Sequence, residues 1–125
     1  MLPQLIFVYG TLKAGRGNHH YMNGCEYIGK LTTEPKYTLH TNGSFPIVTR
    51  GGQTAIKGEL YKVTDQTALQ RIYRLEHYTG TPGHVDNWYD VDQVAIGPNN
   101  HALMFVQNAE QVAGRGLKIL ETGVF

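Results

Sequence analysis

Glu76 is the carboxylate in this chain whose setting suits proton transfer. It follows Leu69, Ile72 and Tyr73 at helical spacing, which places it beside the apolar face of the helix those residues predict. A carboxylate there is expected to be partly desolvated, and desolvation raises its pKa toward the range useful for acid–base work. The end of a helix disfavours negative charge and pushes the same way. The plainer alternative is an exposed Glu76 paired to Arg71, Arg74 or His77, and the residue pattern alone leaves both open.

A second feature lies near the N-terminus. Leu5-Ile6-Phe7-Val8 reads as a buried strand, and it runs into Tyr9-Gly10-Thr11-Leu12-Lys13 rather than a polar turn. A glycine at a strand end permits unusual backbone angles or a close approach to the main chain. Either this is a plain strand and turn, or the strand end offers N–H groups to a ligand, as successive amides do for anions.

Other chemistries find little support. His19 and His20 are adjacent, so on a helix they point about 100° apart. His40, His77, His84 and His101 show no ligand spacing, and Cys25 is the lone cysteine, so no metal site is expected. The glycines between Gly10 and Gly17 fit neither phosphate-binding pattern. There is no Gly-x-Ser-x-Gly, and Cys25 has no obvious base partner. Its default role is that of a small buried hydrophobe, consistent with a reducing cytoplasm.

The elements that must hold these groups can be read from period and punctuation. Strands are expected at Gln4–Val8, Glu26–Thr32, Tyr37–Thr41, Ala55–Val63, Trp88–Ile96 and Ala102–Gln107, with a short extended piece at Phe45–Val48. Asn18 is placed to cap a short helix ending near Gly24. Thr64 or Asp65 caps the one strong helix, which ends before Gly80. The tail from Asn108 to Phe125 shows no firm pattern. Alternation within the longer strands favours antiparallel pairing. The expectation is an α+β fold, one domain over residues 1–125, with the sheet curled into a small barrel.

Eleven basic and ten acidic residues leave a net charge of +1, which argues against a nucleic-acid partner. No apolar run is long enough to span a bilayer, and the first ten residues lack a leader pattern, so no membrane partner is expected.

The motifs also match a known family. Val8-Tyr9-Gly10-Thr11-Leu12-Lys13 followed by Gly15 and Asn18-His19 resembles the opening of γ-glutamylcyclotransferase-like proteins, nearest to the AIG2-like, γ-glutamylamine cyclotransferase branch. The likeness continues through Gly58-Glu59-Leu60-Tyr61-Lys62-Val63, Leu75-Glu76, Trp88-Tyr89-Asp90-Val91 and Ala102-Leu103-Met104-Phe105-Val106. The resemblance implies a small, mixed, mostly antiparallel β-barrel with flanking helices. It implies a cytoplasmic enzyme that cyclises the γ-glutamyl group of a small amide or peptide to 5-oxoproline, releasing an amine and using no cofactor. It further implies that the main chain of Tyr9, Gly10, Thr11 and Leu12 holds the glutamyl part and that Glu76 is the acid–base group. Tyr89 and Phe105 are expected in the same pocket, the alternative for Tyr89 being a plain core position.

Three departures from the family pattern stand out. Tyr73 replaces an Asp, the segment between Glu76 and Tyr89 is long, and Phe105 replaces a tyrosine. The first makes Asp86 the fallback carboxylate. The alternative function is a non-catalytic small-molecule-binding protein of the same fold.

Overall fold

In a computed structural model, residues 2–125 are described, so Met1 of the expected domain lies outside the described residues. Eight strands run in chain order: β1 (Gln4–Val8), β2 (Glu26–Thr32), β3 (Tyr37–Thr41), β4 (Pro46–Arg50), β5 (Lys57–Val63), β6 (Asp90–Ala95), β7 (His101–Val106) and β8 (Lys118–Ile119). Helix α1 (Gln66–Leu75) joins β5 to the segment before β6, and α2 (Ala109–Val112) follows β7.

The apolar run of β1 reflects its central position. It pairs antiparallel with β5 and parallel with β7, in a five-stranded sheet ordered β2-β5-β1-β7-β6. Both faces are covered, as a strand with a continuous apolar run requires. Ile6 and Val8 enter one core cluster with Ala68, Leu69 and Ile72 of α1, whereas Phe7 and Tyr9 enter a second with Leu39 and Val48 of the smaller sheet. That sheet has the order β4-β3-β8. The mixed, mostly antiparallel α+β reading therefore holds, but the expected barrel does not appear in the strand pairing. The ladders form two sheets, joined at the end of β7 by a main-chain bond from the Gln107 N–H to the Val48 carbonyl (2.9 Å) and by side-chain bonds from Tyr37 to Asp92 (2.7 Å) and from Arg50 to the Val91 carbonyl (2.8 Å).

Three local expectations change. Asn18 does not cap a helix through its side chain; a four-residue 3-10 turn, His19–Met22, follows it instead. The strand expected from Trp88 begins at Asp90. The tail is structured: Asn108 and Gln111 form a reciprocal capping box on α2, and β8 pairs with β3. These elements left no firm pattern in the sequence because α2 has only four residues and β8 only two, too short to produce a period.

Candidate active site

Helix α1 begins where the Asp65 carboxylate accepts the Thr67 N–H (3.2 Å). It buries Ala68, Leu69 and Ile72 against the sheet. Full burial of a side chain the size of Leu or Ile contributes roughly 1.5–3 kcal/mol, enough to fix the helix in place. Its C-terminus is closed by two bonds, from Tyr78 N–H to the Tyr73 carbonyl (2.9 Å) and from His77 N–H to the Arg74 carbonyl (3.2 Å). This pattern needs a left-handed residue after the C-cap. Here His77 takes that conformation, at φ 51°. The rings of Tyr73 and Tyr78 meet edge-on, 4.9 Å apart, and seal the turn.

Glu76 is the C-cap residue of this turn. Its carbonyl accepts the Tyr89 N–H (3.3 Å), and the His77 carbonyl accepts the Trp88 N–H (2.9 Å). The long segment between them therefore leaves and returns at one place, which holds Glu76 beside Tyr89. Among the described residues, no hydrogen bond or ion pair reaches the Glu76 carboxylate. Burial raises its pKa to about 7. The paired, exposed alternative is thus excluded for Arg71, Arg74 and His77: the Arg71 guanidinium instead bonds the carbonyls of Tyr21 and Asn23.

The opposite wall comes from the segment after β1. Lys13 N–H closes a turn on the Gly10 carbonyl (3.0 Å). Asn18 grips Thr11 twice at 2.9 Å, through its main-chain N–H to the Thr11 carbonyl and through its side-chain amide to the Thr11 hydroxyl. His19 bonds the Leu12 carbonyl through Nδ1 (2.9 Å). These contacts use the carbonyls. Among the described residues, the N–H groups of Gly10, Thr11 and Leu12 have no acceptor. Gly10 is explained by close approach rather than by backbone angle: a Cβ added there would stand 2.5 Å from Pro46 Cγ.

Between these walls lies a cavity of about 330 Å³. Its lining includes every residue named from the sequence: Tyr9, Gly10, Thr11, Leu12, Glu76, Tyr89 and Phe105. Asp86, the fallback carboxylate, is exposed and outside it. Tyr89 is buried, and its hydroxyl donates to the Pro46 carbonyl (3.1 Å). The Tyr9 hydroxyl donates to the Phe105 carbonyl. Burial above all, and then the nearby Glu76, pushes the Tyr89 pKa up; burial, then Tyr89 and Glu76, does so for Tyr9. Both are neutral donors that brace the walls. The Phe105 ring lies edge-on to the rings of Tyr73 and Tyr78.

Sequence reasoning did not place Ser44, Phe45 and Pro46 in this lining, nor Leu75, His77 and Trp88. Asn42-Gly43 marked the turn before Ser44, but nothing in its pattern indicated which way the turn folds. Among the described residues, no lysine or arginine lines the cavity. Among the described residues, no cluster of His, Cys, Asp and Glu is arranged to hold a metal.

The model of the family described as "Gamma-glutamyl cyclotransferase, AIG2-like" matches residues 6–124. The chain belongs to this family. A Vibrio cholerae protein bearing the family's name is 38% identical over 69 residues, which are 55% of this chain and 59% of that protein. The γ-L-glutamyl-butirosin B γ-glutamyl cyclotransferase of Niallia circulans is 36% identical over 89 residues, covering 71% of this chain and 54% of that one. The matched stretches thus span little more than half the length of both relatives. An uncharacterised protein from Pyrococcus horikoshii superposes with a TM-score of 0.74 at 28% identity, over 98% of this chain and 89% of that one. Among the described residues, no helix is long and apolar enough to cross a membrane.

Proposed function

We propose that this chain is a single-domain, cytoplasmic γ-glutamyl cyclotransferase that releases 5-oxoproline and an amine from a small γ-glutamyl amide. The observation that carries the reading is the meeting, in one cavity, of an unpaired, desolvated Glu76 carboxylate and three main-chain N–H groups without protein acceptors. The N–H groups of Gly10, Thr11 and Leu12 bind the substrate α-carboxylate, as amide nests bind anions. Among the described residues no lysine or arginine lines the cavity, so these amides stand in for a charged side chain.

The substrate carries its own nucleophile. The α-amine nitrogen bonds to the γ-carbonyl carbon, and the bond from that carbon to the leaving nitrogen breaks. Glu76 takes the proton that the attacking nitrogen loses and delivers it to the leaving nitrogen. A pKa of about 7 suits both transfers near neutrality. No redox step enters the balance. Because attack is intramolecular, holding the chain in a near-attack geometry supplies much of the acceleration, up to about 7–11 kcal/mol in favourable models. The apolar side chains of Phe45, Leu75 and Phe105 give competing water few partners beside the reacting carbonyl once substrate fills the cavity.

The test is release of 5-oxoproline from a panel of γ-glutamyl amides and peptides by wild type and by Glu76→Gln. The variant keeps the size of the side chain and loses proton transfer, so turnover is expected to fall at least ~100-fold. A variant that folds and still cyclises at the wild-type rate removes Glu76 from the mechanism. A wild type that releases no 5-oxoproline from any member of the panel removes the reaction.

A further inference from the structure

The loop that carries the three free amides has an outer half with no core of its own. Ala14, Gly15, Arg16 and Gly17 are exposed. Main-chain bonds from Lys13 N–H to the Gly10 carbonyl (3.0 Å) and from Arg16 N–H to the Lys13 carbonyl (3.0 Å) close its turns. A segment with few buried contacts and exposed backbone bonds opens locally at low cost. A binding surface made of its amides would then have to be ordered each time substrate arrives, and that ordering is subtracted from affinity.

Two tethers from outside the loop oppose this. One comes from β5, where Glu59 stands across the ladder from Val8, the last residue of β1. The Glu59 carboxylate accepts the Ala14 N–H (2.9 Å) and the Tyr61 hydroxyl (3.0 Å). The other comes from the segment that follows β8. Leu120 N–H bonds the Leu39 carbonyl (2.9 Å), and Leu120 packs against the second core cluster. The Gly123 carbonyl then accepts the Lys57 N–H (2.9 Å), and Gly123 lies so close to the Ala55 carbonyl that a Cβ would not fit. Two residues on, the Phe125 carbonyl accepts from the Lys13 ammonium (3.1 Å) and from the Arg16 guanidinium, which also lies over the Phe125 ring, 4.8 Å from its centre.

Lys13 and Arg16 directly follow the anion-binding amides in the chain, yet neither lines the glutamyl cavity. Both are joined inward as well as to Phe125. Lys13 bonds the Gly10 carbonyl through its own N–H. The Arg16 carbonyl accepts the His19 N–H (3.2 Å), and the His19 ring holds the Leu12 carbonyl (2.9 Å). A displacement at Phe125 is therefore passed to both ends of the Gly10–Leu12 donor surface.

We infer that Phe125, Lys13 and Arg16 form a clamp that keeps the glutamyl-binding loop in its binding conformation, with Phe125 and Arg16 as positioning residues for the amides that take the α-carboxylate. The inference rests on the cyclotransferase reading above. An exposed cation contact of this kind adds little to global stability, so its loss is expected to fall on binding. Where only a fraction of molecules holds the competent loop, apparent affinity drops by that fraction, while the substrate-bound state reacts as before.

The test is kcat and KM for a γ-glutamyl amide, read as 5-oxoproline release by the full chain, for Phe125→Ala, Arg16→Met and the double variant. Each single substitution is expected to raise KM at least ~5-fold, as if the loop were formed in about one molecule in five. The kcat is expected to stay within about twofold of wild type. Both substitutions break one contact, so the double variant is expected to match the larger single effect. Phe125→Tyr keeps the ring and is expected to keep the wild-type KM. A merely structural contact would lower the folded fraction, and with it the apparent kcat, at unchanged KM. An unchanged KM in either single variant overturns the clamp, as do effects that multiply in the double. A wild type that releases no 5-oxoproline from any γ-glutamyl amide is a separate failure, which removes the reaction and the clamp's part in it together.

Discussion

The two walls of the glutamyl pocket are built on opposite principles. The segment from Tyr9 to Asn18 spends the carbonyls of Gly10, Thr11 and Leu12 on protein contacts and, among the described residues, leaves the N–H groups of the same three residues without acceptors. The segment from Glu76 to Tyr89 pairs both kinds of group at its base: the N–H groups of Glu76 and His77 bond the carbonyls of Ile72 and Arg74, their own carbonyls accept the N–H groups of Tyr89 and Trp88, and what it presents to the cavity is a side chain. One wall is a main-chain donor surface and the other carries the Glu76 carboxyl. The difference is one of tolerance. A donor surface made of backbone is insensitive to side-chain identity but sensitive to any change in the path of the chain, whereas the other wall depends on one carboxyl.

The largest effect should therefore come from the carboxyl wall, where Glu76→Gln lowers turnover at least ~100-fold while changing substrate affinity much less. Its effect on stability has a defined sign. The folded pKa of about 7 stands above the ordinary value of 4.5. The native state therefore holds its proton more tightly than the unfolded state does, and this contribution to stability is lost as pH rises from about 4.5 through 7. The uncharged variant should accordingly gain on wild type as pH rises through that window, by at most about 3 kcal/mol and less where cavity water screens the charge, measured by urea unfolding at several pH values.

The backbone wall should be broken next. Gly10→Ala places a methyl against the Pro46 ring, and relieving that contact moves the loop or β4. Overpacking of this kind costs typically 1–3 kcal/mol, and the displaced amides should raise KM more than they lower kcat. If kcat/KM and unfolding are both unchanged, the amides are not the binding surface. Tyr89→Phe is milder. It removes the bond to the Pro46 carbonyl that braces the same wall, and about 1 kcal/mol of stability is expected to go with it.

How much of this could be read beforehand differs between the walls too. The apolar run into Tyr9-Gly10-Thr11 marked the donor wall, because a central strand buried on both faces leaves a continuous signature. Glu76 was marked by helical period. The long return to Tyr89 was visible only as a gap: its geometry depends on His77 adopting a left-handed conformation, which histidine does not announce as glycine does. Trp88 stayed hidden for a related reason: it precedes the strand in which it was placed. The barrel was overstated because strand count and alternation do not reveal where a ladder stops.

The smallest effect tests that hinge. His77→Gly removes a left-handed non-glycine residue from an exposed turn, and the variant should gain up to about 1 kcal/mol, read as a raised urea midpoint. A loss of stability would mean that the histidine ring contributes more than its backbone costs.

The central claim is that one desolvated carboxyl shuttles the proton between two nitrogens held against a backbone surface. The pH dependence of kcat/KM for a γ-glutamyl amide, compared between wild type and the residual activity of Glu76→Gln, tests it most directly. The substrate amine titrates identically in both, so any difference isolates the carboxyl. The account predicts that the wild-type rate rises through a limb near pH 7, where Glu76 ionises, and that the variant lacks this limb. Superimposable profiles in the two proteins would contradict it.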